Sequence, residues 1–470
     1  MTGSGFSTLN TARTGLSAAQ RAMDVTGQNV VNANTPGYSR QRVVLASTGG
    51  STGASFFSGK QAAFGGVGVS DVTRIRDAFL EATRASAGAR QQALTAQTDA
   101  LSSVEQLLSE PGDSGLQTAM SEFFNAWHDI ATNPSVDNTA PGAVVIENGK
   151  KVASQLHAIA YGLATQWTTT HSALADTVAQ ANQQAHDLAS LNAQIRAGAI
   201  AGQPVNELLD TRDQLVRSLA DLVGGVATPG EDGMVSVAVG GVTIVSGTMA
   251  ETLTLQGAPD LSTADTDPPT LYWGSTAVPV ESGKALGQLA ALRQDVPASK
   301  AAIDRIATSL RDAVNTLHTG GFTLSGVAGT DFFTGTDSLT MTVAVTAPQD
   351  LAVSAVSGTI DGSVAGKIGD LIDDSAAADV LGYPGPMAQW RELTTAMGVQ
   401  LKSLKAASTV QGAVVQASDD ALEANAGVSL DEEMTNMILF QRSYQASSRV
   451  ITTVDEMLDT LINRTGTVGR

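Results

Sequence analysis

The sequence predicts a mainly α protein with an inserted β domain. The chain reads as elongated and multi-domain, with paired N- and C-terminal coiled-coil helices, a long-helix bundle core and an outer β domain. Three observations predict this. Apolar residues recur at seven-residue steps in segment after segment, which marks long helices packed along narrow seams. Aromatics make up only 4% of 470 residues while Ala, Ser, Thr and Gly abound, a composition suited to thin helical packing. Strand-like patterns are confined to the stretch between about 225 and 375, where a helical segment interrupts them.

The first helix carries Leu9, Leu16, Met23 and Val30 as its apolar stripe, with Ala12, Ala19 and Thr26 interleaved. It runs through Asn29, Asn32 and Asn34, whose amides suit a fraying helix end with free carbonyls. Thr35-Pro36-Gly37-Tyr38 follows. Proline fixes its own φ and pushes Thr35 out of the α region, and Gly37 accepts φ > 0, so a type II turn is expected. The Gly/Ser-rich run ASTGGSTGASFFSGKQAAFGGVGV is a connecting loop or a loosely held extended segment.

A helix is expected from about Arg74, with Leu80, Ala87, Leu94, Leu101 and Leu108 in step until Pro111-Gly112. Leu174, Ala181, Leu188 and Ile195 repeat the pattern to Gly198, and Leu208, Leu215 and Leu222 repeat it to Gly224-Gly225. Ile303, Leu310 and Leu317 close at Gly320-Gly321, and Trp390, Met397 and Leu404 mark a fifth set. Two stretches break this period. MVSVAVGGVTIV (234–245) places β-branched runs on either side of Gly240-Gly241, a two-residue hairpin signal. LTMTVAV (339–345) alternates strictly and is expected to be a strand.

The last helix has Leu430, Met437, Tyr444, Ile451 and Leu458 in seven-residue steps, flanked by Phe440, Val454 and Leu461. Ser429 and Glu432 stand at capping-box spacing, and Asp431, Glu432 and Glu433 fill the first turn, where the helix dipole favours anions. The expected division is therefore 1–45 and 425–470 as a terminal helical domain, 46–224, 284–318 and 385–424 as the bundle core, and 225–283 and 319–384 as an outer mostly-β domain.

Two readings fit the narrow terminal seams. Each helix docks on the body alone, or the two pair with each other and then with the same pair in neighbouring subunits. Because each leaves the core toward a free chain end, a pair would be antiparallel. Setting Val30 beside Phe440 puts Met23 near Ser447, Leu16 near Val454 and Leu9 near Leu461, to within about one turn, with large residues mostly meeting large ones.

The chemistry of an enzyme is not expected. The five histidines include no pair at zinc-ligand spacing, and no cysteine is present for a disulfide, a thiol nucleophile or a thiolate metal site. No Gly-Lys pair is followed by Ser or Thr as a phosphate loop requires. Gly49-Gly50-Ser51-Thr52-Gly53 satisfies G-x-S-x-G but lacks the strand and helix that pin a nucleophile. No catalytic, cofactor or metal site is expected. The net charge of −19, from 46 acidic and 27 basic residues, opposes nucleic-acid binding. No apolar run approaches the roughly 18 residues of a bilayer span. The N-terminus MTGSGFSTLNTAR has no apolar core of a cleavable signal, so composition alone would place the chain in the cytoplasm.

With these residues in view, NVVNANTPGYSRQ (29–41) resembles the N-terminal signature of the bacterial flagellar axial proteins. GVGVSDVTRIRDAFL (66–80) is similar to the segment that leads into the first long core helix of those members that join hook to filament. LASLNAQI and NELLDTRDQLVRSLADLVG resemble their middle helices, and GVSLDEEMTNMILFQRSYQASSRVITTVDEMLDTLIN their C-terminal signature. The matches keep their expected order over nearly the whole chain and are weakest over 246–385. The chain looks short for the family. The resemblance implies a structural, non-enzymatic protein in the junction zone between hook and filament, assembling with itself into a ring or tube. It implies contact with the hook protein and the second junction protein, and export with a cytoplasmic chaperone through the flagellar type III apparatus, without a cleaved signal, to an extracellular site. No membrane insertion is implied. Absent cysteines fit a chain that stays unlinked while threading, and a terminal pair too small to fold alone would order on assembly. The alternatives are the hook protein or the second junction protein themselves, or a surface adhesin on a helical stalk.

Overall fold

Residues 2–48, 65–108, 115–135 and 139–460 are described in a computed structural model. The chain begins with helix α1 (Thr2–Asn32), then the hairpin β1 (Gln41–Ser47) and β2 (Val67–Arg74). Helices α2 (Ala78–Leu108), α3 (Leu116–Thr132), α4 (Ala140–Ile200) and α5 (Asn206–Val223) follow. At 61 residues α4 is a rod about 90 Å long on which α3, α5 and later elements pack. The sequence pattern marks only its second half, and it leaves α3 unmarked. Residues 67–74, which end at the Arg74 where the second helix was expected to start, pair with β1 in antiparallel register, Gln41 opposite Arg74. The helix waits for Asp77, whose carboxylate accepts from the N–H groups of Phe79 (2.9 Å) and Leu80 (3.1 Å).

Strands β3 (Val226–Pro229), β4 (Val235–Val239), β5 (Val242–Ser246) and β6 (Met249–Ala250) form a four-stranded antiparallel sheet in chain order. Gly240 and Gly241, at φ 53° and 81°, make the expected two-residue turn between β4 and β5. Strands β7 (Leu253–Gln256), β8 (Thr270–Trp273) and β9 (Thr276–Ala277) add a three-stranded sheet. Helix α6 (Lys284–Ala290) then runs through a π-helical turn into α7 (Val296–Thr319).

The stretch 319–384 departs from a mostly-β reading. Its strands β10 (Phe322–Thr323), β11 (Phe333–Thr334), β12 (Thr342–Val343) and β13 (Ala352–Ser354) are two or three residues long. They are followed by two short helices, α8 (Ser363–Gly369) and α9 (Asp374–Leu381). Of the alternating run 339–345 only Thr342–Val343 is strand, although Met341 and Val345 are buried as the alternation demands. The cause is local: Asp337 accepts from the N–H groups of Leu339 and Thr340, and its carbonyl from Met341, so a turn and not a long ladder satisfies this backbone. Helix α10 (Pro386–Ala426) then returns along α2 and α7, and α11 (Leu430–Asp459) ends the described chain.

One side-chain device recurs where helices hold irregular strands. The amide of Asn192 on α4 accepts from the N–H of Val235 (3.1 Å) and donates to its carbonyl (2.8 Å). Asn182 treats Leu253 the same way, at 2.8 Å for both bonds, and Asn315 on α7 does so for Phe333. An asparagine amide carries a donor and an acceptor side by side, so it mimics a neighbouring strand for one residue. The core is continuous through helices and sheets. Its aromatic centre joins Phe123 and Trp127 of α3 to Phe332 and Phe333, with ring centroids 4.7–6.3 Å apart.

Candidate assembly site: the terminal helix pair and its joint

Helix α11 lies along α1 in the antiparallel sense. The amide of Asn29 meets Glu433 at 3.1 Å, and a Cβ built on Gly15 would lie 3.1 Å from Oγ of Ser447. Both pairs of facing residue numbers total 462. The expected pairing of Leu16 with Val454 totals 470, so the register is displaced by eight residues, about 12 Å along the axis.

The displacement follows from which face of α1 is covered. Ala12, Gly15, Ala19, Ala22, Thr26 and Asn29 alternate steps of three and four and form the seam, and all but part-covered Gly15 are buried. Leu9, Leu16, Met23 and Val30 sit one position over and are only partly covered. On α11 the covered line is Glu433, Met437, Phe440, Tyr444, Ser447, Ile451, Val454 and Leu458. Small residues on one helix thus face larger ones on the other, which brings the axes closer than a large-to-large match allows. Leu430 belongs to the same line but is 51% exposed, because its counterpart would be Asn32, where α1 ends. Leu461 lies outside the described residues, as do Ser51 and its glycines and Pro111-Gly112.

At the end of the pair the chain turns sharply. Tyr38 N–H donates to the Thr35 carbonyl at 3.1 Å and Gly37 has φ 79°, as a type II turn requires. Asn32 behaves as a helix-end residue, donating to the Gln28 carbonyl at 3.0 Å and accepting from Thr35 Oγ1 at 3.1 Å. Asn34 and Pro36 are exposed. Asn29 does not fray. It is 1% exposed, and its amide donates to the Gln41 carbonyl (2.9 Å) and accepts from the Gln41 N–H (2.9 Å) and the Tyr38 hydroxyl (2.8 Å).

Every residue of Pro36–Gln41 is engaged with another part of the chain. Gln214 of α5 donates to the Pro36 carbonyl at 2.8 Å, and its side chain fills the space a Cβ on Gly37 would need. Ser39 N–H donates to Asp210 at 3.2 Å. Arg40 pairs with Glu433 at 2.7 Å and Glu432 at 2.8 Å, and its N–H reaches the Ala426 carbonyl. Asn206 Nδ2 donates to Gln41 Oε1 at 3.1 Å. Beneath them Arg74 of β2 bridges Asp210 (2.6 Å) and Asp213 (3.0 Å), and Arg212 also holds Asp213 (2.6 Å). The α11 N-terminus forms half the expected capping box. Ser429 Oγ accepts from the Glu432 N–H, while the Glu432 side chain goes to Arg40.

Burial, then the nearby carboxylates Asp210, Glu433 and Glu207, push the Tyr38 hydroxyl up to about 12. It stays a donor to Asn29 throughout the physiological range. The sequence reading missed Asn29, Arg40, Gln41, Arg74, Asp210, Gln214 and Glu433 as site residues. All lie inside four of the five stretches that carried the resemblance, and charged residues in such stretches were the available signal. Among the described residues no cluster of His, Cys, Asp or Glu is arranged to hold a metal.

Around this joint the outer faces of both helices stay open. Met434, Ile438, Leu439, Val450 and Met457 of α11 and Val31 of α1 are exposed, and only Glu433 and Val454 of α11 are buried.

Comparison with known proteins agrees with this layout. Residues 101–333 match the family described as flagellar hook-associated protein FlgK helical domain. Residues 9–38 match the flagella basal body rod protein family, and 420–464 the C-terminal region of the flagellar basal body rod FlgEFG proteins. The two rod-type matches fall on α1 with its turn and on α11, which the structure places side by side. Flagellar hook-associated protein 1 of Bacillus subtilis (strain 168) is 30% identical, over 99% of both chains. Its namesake from Escherichia coli (strain K12) is 26% identical over 97% of this chain and 99% of its own. The solved structure of the flagellar hook junction protein FlgK from Burkholderia pseudomallei has a similar fold, with a TM-score of 0.63 over 72% of this chain and 99% of that one at 16% identity. The chain belongs to the flagellar hook-associated protein 1 family.

Proposed function

We propose that this chain builds the junction between hook and filament by packing its α1–α11 pair against the same pair in neighbouring copies. The assembly unit is then 1–45 with 425–470, carried by the bundle of 46–224, 284–318 and 385–424, with 225–283 and 319–384 facing outward. One observation carries the reading. The joint fixes the direction of a helix pair whose outer face keeps Met434, Ile438, Leu439 and Met457 in water. A pair that buries so little of itself has most of its apolar area left for neighbours, and exposed apolar patches mark interaction sites. The seam residues Leu9, Leu16, Met23 and Val30 flank the covered face of α1 and serve the same contacts. The hook protein on one side and the second junction protein on the other are the further partners, and the chain reaches them by the flagellar export route with its chaperone. Its role is structural and without catalysis.

Replacing Ile438 and Leu439 together by glutamate tests this. The monomer should keep its helical content and melting behaviour, while the hook–filament junction fails and filaments are lost. Normal filaments on the double variant would refute packing through this face.

A further inference from the structure

His318 is the one histidine that the structure buries completely, at 0% exposure, near the C-terminal end of α7. Its Nε2 accepts the N–H of Ala352 in β13 at 2.9 Å, and its Nδ1 meets the Thr330 carbonyl. A carbonyl only accepts and an N–H only donates, so the ring must be neutral, with its proton on Nδ1. This single ring ties two separated parts of the stretch 320–354 to α7. The ladders there are short, and Asn315, Arg311 and Asp304 of α7 hold residues 332–338, so the parts around Thr330 and Ala352 depend on the ring.

We propose that His318 is an acid-sensitive clasp, holding the backbone around Thr330 and around Ala352 on the helical body when neutral and releasing both when protonated. Protonation at Nε2 would set an N–H against the Ala352 N–H and remove the acceptor, with no other role for that amide. The ring has no room to turn away. The edges of Trp127 (6.0 Å) and Phe332 (5.8 Å) close on it. Asp331 is the charge that favours protonation from the segment itself. On α3, His128 faces Asp370 at 3.7 Å instead. Burial is the larger influence and pulls His318 below the usual histidine value, with the Thr330 carbonyl and Asp331 opposing. The unfolded segment takes up its proton first, below about pH 6.5, so the clasp weakens as pH falls through that value and is at full strength above it. What loosens is the wall that the ring forms beside Trp127 and Phe332.

The test uses the full chain. Hydrogen exchange, corrected for the intrinsic pH dependence, is compared at pH 7.5 and 5.0 for wild type and for His318→Gln, whose amide keeps a donor and an acceptor but gains no proton. Wild type should lose roughly tenfold or more protection around Thr330 and Ala352 at pH 5.0 while α4 stays protected, and the variant should not respond to pH. Equal protection of wild type at both values, or the same loss in the variant, overturns the proposal. Should the variant not fold, nitrogen NMR of histidine-labelled wild type decides. The Nδ1–H tautomer at pH 7.5, giving way together with the loss of protection, supports the clasp. An Nε2–H tautomer, or simple titration at the ordinary value, excludes it.

Discussion

Gly37 and Tyr38 show how single residues aim a helix 31 residues long. At φ 79° a β-branched side chain is strained, and a Cβ there would stand 1.9 Å from Nε2 of Gln214. Gly37→Val should therefore destabilise the joint by about 1–3 kcal/mol and evict Gln214 from Pro36. The bundle does not depend on the turn, so the variant should melt like wild type yet build no junction, which motility assays and electron microscopy of flagella would record. Tyr38→Phe removes one bond to Asn29 and should cost about 1 kcal/mol. It also removes a pH dependence. Because the folded hydroxyl ionises only at about 12, above its ordinary value, its contribution is complete below about pH 10 and disappears as pH climbs from there. Alkaline melting curves should show wild type losing stability over that window relative to the variant. Parallel curves would mean that the hydroxyl is free of Asn29.

At the scale of elements, the pair makes its register testable because the chain has no cysteine. Gly15→Cys with Ser447→Cys should form a disulfide readily, since the two positions face each other. Leu16→Cys with Val454→Cys should not, being offset by about 12 Å. The reverse preference, in monomer or in assembled flagella, would overturn the register. Much of this level was legible in the sequence. The seven-residue steps gave the presence of both terminal helices, the free chain ends gave their direction, and the Gly240-Gly241 hairpin and the type II turn were readable from residue types alone. The register was not, because alanines and Gly15 carry the seam while the leucines beside them dominate any hydropathy pattern. Helix α3 escaped notice although Leu116, Met120, Phe123, Trp127 and Ile130 keep the same step; Gly115 precedes it without a side-chain cap. The stretch 319–384 misled for a different reason. Its backbone is satisfied from outside by Asn315 and His318, and such long-range bonds leave no period in the sequence.

Across the whole molecule, four stretches far apart in sequence converge on one joint. Residues 29–41 supply the turn, 66–80 the buried arginine, 206–224 the acidic residues and Gln214, and 427–463 the glutamates that close it. Most of the resemblance read from the sequence was thus a resemblance of a joint. Cryo-electron microscopy of intact flagella at the hook–filament boundary tests the account most directly. It predicts a short zone of this protein in which each subunit keeps Gly15 against Ser447, with Met434, Ile438 and Leu439 covered by the helix pair of a neighbouring copy. Terminal helices separated from each other, or those three residues left facing solvent while the body makes the contacts, would contradict it.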